Sequence, residues 1–167
     1  MLSKVYIEGS LRTRKWYSLE DTQVKTLTLL YALFENVFFN FVGPVRANNI
    51  HCVPLNYTYL PNKYSRPLTE LVETWSKYTA FNLCPVRTLG TVEFRHLYGT
   101  GDYEIYKQWL TLLRSLWNFV YENPNFNLYE YLLNNGDVKS LQYSIFGLGV
   151  PLVDTSSTVI DVKLAFV

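Results

Sequence analysis

The chain has two cysteines, two histidines and a single methionine in 167 residues. No Cys-x-x-Cys pair occurs, so the spacing offers neither a zinc ligand set nor a disulfide framework. Cys52 and Cys84 sit among apolar residues and read as buried free thiols. An excess of one charge is missing too: 15 Lys and Arg stand against 14 Asp and Glu, a formal net charge of +1. A broad nucleic-acid surface needs a basic stripe or surplus, and the one basic cluster, Arg12, Arg14 and Lys15, reads as a solvated turn. Long apolar runs are lacking as well. The richest stretch, Leu27 to Val42, is broken by Thr28, Glu35, Asn36 and Asn40 and falls short of a membrane span. The first residues are polar and unlike a secretory leader. These absences lead us to expect a cytoplasmic, reducing setting, with no membrane and no nucleic-acid partner. There is also no glycine-rich phosphate loop and no Gly-x-Ser-x-Gly elbow.

What is present is bulk for a core. Apolar residues make up 49% of the chain, with 14 Tyr and 10 Phe, enough for one folded domain. Lys4 to Glu8 suits a short strand. "SLEDTQVKTLTLLYALFENVFFNF" predicts a long helix with Ser18 as N-cap, ended by Gly43 and Pro44. Its apolar positions, from Val24 through Tyr31, Phe34 and Phe38 to Phe41, make a face wide enough for the middle of a domain. "RPLTELVETWSKY" predicts a second helix with Pro67 in its first turn. "TAFNLCPV" and "GTVEFRHL" read as a hairpin, turning at Arg87–Gly90. A third helix follows, capped by Thr100 or Asp102 and stopped before Pro124, and then a short one ending at Gly136. Trp75, Trp109 and Trp117 fall at core spacing. The expected fold class is therefore α+β, an antiparallel sheet packed on one face by long helices. We assign residues 1–150 to one domain and 151–167 to an unplaced tail.

Chemistry concentrates in "LGTVEFRHLYGTGDYEIYKQW", Leu89 to Trp109. Strand alternation sends Thr91, Glu93 and Arg95 to one face and Val92, Phe94 and His96 to the other. An acid and a base two residues apart suit a bound cation and a phosphate or carboxylate, and equally suit two solvated charges. Their expected place is the sheet face away from the helices. His96 reads as a packed or capping histidine. Arg46, with Asn48 and Asn49, is either a turn residue or part of a site. His51 and Cys52, being adjacent on a strand, face opposite ways and do not form a metal pair.

The run "KYTAFNLCPVRTLGTVEFRHLYGTGDYEIYKQWLTLL" resembles the C-terminal signature of the amidoligases, carboxylate–amine ligases that share the glutamine synthetase catalytic fold. Tyr78, Asn82, Leu83, Thr91, Glu93, Phe94, Arg95, His96, Gly99, Thr100, Asp102 and Trp109 all stand where that signature has them. The preceding helix and "HCVPL" also resemble the family, and the likeness covers roughly residues 20 to 120. It implies half of a glutamine synthetase-like domain and ATP-dependent joining of a small-molecule or peptide carboxylate to an amine through an acyl-phosphate. By the same resemblance Glu93 would bind Mg2+, Arg95 would hold the phosphoryl group with Asn82 nearby at the ATP site, and Arg46 would be a second anion-binding arginine. About seventeen residues precede the long helix, too few for the family's acidic strand. The expectation is a protein partner that supplies the missing half and an isolated chain that is inactive. The alternative is a non-catalytic interaction protein that retains the fold.

Overall fold

The computed structural model describes residues 5–7, 17–55 and 66–164. The Arg12, Arg14 and Lys15 cluster lies outside them. Among the described residues the elements run β1 (Val5–Ile7), β2 (Tyr17–Leu19), α1 (Asp21–Val42), α2 (Pro44–Ala47), α3 (Leu68–Thr74), β3 (Phe81–Asn82), α4 (Val86–Leu89), β4 (Glu93–Phe94), α5 (Tyr103–Glu122), α6 (Leu128–Leu133), α7 (Val138–Phe146) and α8 (Ser156–Leu164).

The predicted wide apolar face makes α1 the central helix. Nearly every side chain from Gln23 to Phe39 is buried, the pattern of a helix surrounded by others rather than lying on a surface. Helices α2, α3, α5, α6 and α8 all pack against it. Leu71 from α3, Leu116 and Val120 from α5, Leu128 and Leu132 from α6 and Val162 from α8 complete one core. The helix leaves regular geometry at Phe34 (φ −109°, ψ 21°), one residue before buried Glu35. It begins at Asp21, not at Ser18, because Ser18 pairs with Tyr6 in a short β1–β2 ladder. Glu20 takes the capping position, and its N–H donates to Gln23 Oε1 at 3.0 Å. Gln23 also donates from Nε2 to the Val120 carbonyl at 3.0 Å, which ties the start of α1 to the end of α5.

The expected sheet is the main correction. Among the described residues the chain is mostly helical, and the strands form two separate two-stranded pieces rather than a sheet packed by helices. The second piece pairs only Phe81 with Phe94 and Asn82 with Glu93. Local chemistry stops it there. Asn82 Oδ1 accepts from the Cys84 N–H at 3.0 Å, a turn made by the side chain itself. Pro85 then adopts helical angles, and Val86–Leu89 forms a helical turn closed by Gly90 at φ 66°. Much of the apparent strand "TAFNLCPV" is thus turn and helix. Of "HCVPL", Val53 alone makes a β-contact, an isolated parallel bridge to Thr79: its N–H donates to the Tyr78 carbonyl at 2.9 Å and its carbonyl accepts from the Ala80 N–H at 2.8 Å.

The helices read from local signals are otherwise close to expectation. Asp102 is the cap of α5, its Oδ1 accepting from the Glu104 and Ile105 N–H groups at 2.9 and 3.4 Å. Pro67 lies one position before α3 as its cap. The stretch left as an unplaced tail contains α8, which buries Thr158 and Val162. Its β-branched residues suggest a strand locally, but a face presented to α1 and α6 outweighs that weak preference.

Phe38 is fully buried and meets the rings of Tyr31, Phe94, His96, Trp109 and Phe146. Phe38→Ala is expected to lower the unfolding free energy by about 3–5 kcal/mol, whereas Asp102→Ala costs about 1 kcal/mol. Urea unfolding of the two variants measures both; a Phe38→Ala loss no larger than the cap's would refute this description of the core.

Candidate functional site

Strand β4 carries the residues singled out by alternation. Its outer side presents Glu93, which is followed by Arg95, and the two form an ion pair: Arg95 Nη2 and Nε lie 2.9 and 3.1 Å from Glu93 Oε2. Asn82, across the hairpin, donates from Nδ2 to the same oxygen at 2.8 Å. One carboxylate oxygen therefore accepts three hydrogen bonds. Glu93 and Arg95 remain accessible, with side chains 45% and 26% exposed, while Asn82 is buried. The three predicted residues do come together, at an open surface.

Arg46 occupies a different place from an anion-binding arm. From α2 its Nε donates to the His96 carbonyl at 2.7 Å, and Nη2 donates to the Arg95 carbonyl at 2.6 Å. Its guanidinium clamps the backbone at the end of β4. Charge-assisted bonds of this kind are the strong ones, and they fix where Arg95 leaves the strand.

The inward side of the same strand holds a network that pattern reading missed. Tyr31, Glu35 and His96 are all essentially inaccessible. The Tyr31 hydroxyl donates to Glu35 Oε1 at 2.9 Å and lies 2.8 Å from His96 Nε2. The Leu55 N–H also donates to Glu35 Oε1. Because Tyr31 spends its only proton on the carboxylate, His96 must be the donor at Nε2. The hydrogen-bond pattern thus assigns the neutral Nε2–H tautomer. Its Nδ1 has no hydrogen-bond partner among the described residues, and the ring lies among Phe39, Trp109 and Phe38. A bare lone pair there is tolerable, but a second N–H without an acceptor would be costly. Burial, and then the nearby Arg46 charge, push the His96 pKa down to about 3. Burial and Glu35 push the Tyr31 phenol well above its usual range. Burial also raises the Cys52 thiol, which makes it a poor nucleophile. The signal that points to this network is Glu35 itself, the only acid within the apolar stretch Leu27 to Val42 and one helical turn after Tyr31.

Among the described residues no group of three or more His, Cys, Asp and Glu can hold a metal ion. Glu93, already loaded with three donors, does not make a Mg2+ site with the described residues alone. No described helix is long and apolar enough to cross a membrane. Cys52 and Cys84 are free thiols.

The neutral burial of His96 has a pH signature. Its folded pKa lies below the unfolded value of about 6.5, so between those values the unfolded chain binds a proton that the folded chain refuses. This contribution to stability is complete above about pH 6.5. As the pH falls toward 3 it is lost, by at most about 1.4 kcal/mol per unit. Urea unfolding from pH 7 to pH 4.5, about the accessible range, is expected to show wild type losing stability relative to His96→Gln. A difference that stays constant with pH would mean that His96 titrates normally.

The chain matches no known family pattern, no characterised protein and no solved structure.

Proposed function

We propose that the chain is one component of an ATP-dependent carboxylate–amine ligase of the amidoligase kind. It contributes Glu93, Arg95 and Asn82 to a site that another polypeptide completes. The observation that carries this reading is the meeting of Glu93 and Arg95 at an accessible surface with Asn82 buried beneath them, on a hairpin whose exit is clamped from behind by Arg46. Joining a carboxylate to an amine through an acyl-phosphate brings two anions together. The chemistry therefore needs fixed positive charge and hard cations aimed at the transferring phosphoryl group. A guanidinium on an immobilised backbone suits the first need. The second needs several carboxylates or phosphate oxygens around each cation, and Glu93 is a single acid with Arg95 as its partner. The remaining acids belong to the second polypeptide. Substrates of this reaction are small-molecule or peptide carboxylates and amines.

A non-catalytic interaction protein is the second reading. It is favoured by the mutual neutralisation of Glu93 and Arg95, which pair with each other at the surface.

The purified chain alone is expected to hydrolyse no ATP in the presence of Mg2+. The assembly recovered from its native source through a tag on this chain is expected to turn over ATP in a substrate-dependent way. Arg95→Ala, an accessible position, should abolish that turnover and leave the unfolding midpoint unchanged. Turnover by the lone chain that disappears in Glu93→Ala would refute the need for a second polypeptide. A stable assembly without ATP turnover would favour the interaction protein.

A further inference from the structure

We infer that the groove between α1, α5 and the loop after α7 is a binding site for an apolar α-amino acid. It is a half-open groove of about 530 Å³, within the range of small-molecule sites. Val37, Phe41 and Phe146 line its apolar part, and Asn40, Glu104 and Lys107 stand among its polar residues. The apolar part is held in shape by its own packing. Phe146 meets Phe34 and Phe38 edge to face, and Phe41 lies 5.8 Å from the Trp109 ring. A cavity between such fixed rings is formed before any ligand arrives, which lowers the ordering cost of binding.

The charged pair in the lining determines the class of ligand. Glu104 and Lys107 lie one helical turn apart on α5, and Lys107 Nζ is 3.9 Å from Glu104 Oε2. That distance is too long for a hydrogen bond. The two charges therefore lie side by side with hydrogen-bonding capacity to spare. A monoanion placed there is attracted by Lys107 and repelled by Glu104, and a monocation meets the opposite conflict. A zwitterion that carries ammonium and carboxylate on one carbon satisfies both. Asn40, whose amide both donates and accepts, can serve either group. The apolar part then takes the side chain, and its volume favours a large one such as leucine or phenylalanine over glycine. Both rim charges are more than half exposed, so solvent screens them and the apolar contact supplies most of the affinity. Millimolar binding is expected. This inference does not rest on the ligase reading, since it uses none of Asn82, Glu93 and Arg95.

Titrating the 15N-labelled full chain with L-phenylalanine, followed by amide NMR shifts, tests it. Saturable shifts are expected at Thr111, Ser115 and Val150, which line the groove. N-acetylphenylalanine lacks the ammonium and phenethylamine lacks the carboxylate. Each should bind several-fold more weakly than phenylalanine, as should glycine. Lys107→Met and Glu104→Gln, both at exposed positions, should each weaken phenylalanine binding several-fold while leaving the rest of the spectrum in place. Equal affinity for phenylalanine and phenethylamine would reduce the groove to a general apolar pocket and overturn the inference. Absence of saturable shifts at the groove residues would overturn it too. Neither result touches ATP turnover by the native assembly, so failure here and failure of the ligase reading are distinguishable.

Discussion

A carboxylate at the centre of the molecule constrains much of what surrounds it. Glu35 lies on α1, 1% exposed, amid aromatic and aliphatic side chains. A buried carboxylate is tolerated only when hydrogen-bonded, and among the described residues it accepts from the Tyr31 hydroxyl on α1 itself and from the Leu55 backbone. Tyr31 passes the constraint on to His96, just beyond β4. One acid thus links the central helix, the segment at Leu55 and the small hairpin. Removing it would take this acceptor from two buried donors, the Tyr31 hydroxyl and the Leu55 N–H.

The hairpin depends on that support. Two residue pairs are too few to hold a β-ribbon in water by themselves. Here β4 is gripped from behind by the His96–Tyr31 bond and by the Arg46 bonds to the two carbonyls just after it, while Phe94 packs against Tyr31, Phe38 and Phe81. The consequence is a division of electrostatics along three residues. His96 on the inner side is kept neutral by its surroundings, and Glu93 and Arg95 pair at the accessible surface. Arg46 takes part in both halves: its charge disfavours a second proton on His96, and its donors position the backbone from which Arg95 extends.

Features that depend on neighbours along the chain were legible from residue order. The wide apolar face of α1, the Asp102 cap of α5 and the start of α3 beside Pro67 follow from periodicity and capping, which act over one or two turns. Alternation along "TVEFRH" likewise separates Glu93 and Arg95 from Phe94 and His96. The extent of the β-structure was misread for a related reason. Propensity marks Thr79 to Val86 as extended, but it does not register that the Asn82 side chain closes a turn and that Pro85 starts a helical one.

What the sequence determined by itself is therefore the two long helices α1 and α5, the start of α3 and the sidedness of β4. Tertiary structure decided the rest. That Tyr31 meets His96 across 65 residues, and that Arg46 reaches the carbonyls of Arg95 and His96 across 49 and 50, depends on how α1, α2 and β4 pack. No spacing rule relates groups so far apart. The role of Glu35 was hidden for the same reason, because an acid in an apolar helix is an interruption until its donors are known. The helical state of Ser156–Leu164 was likewise decided by the face that α1 and α6 offered it, since its own β-branched residues favour neither state strongly enough to prevail.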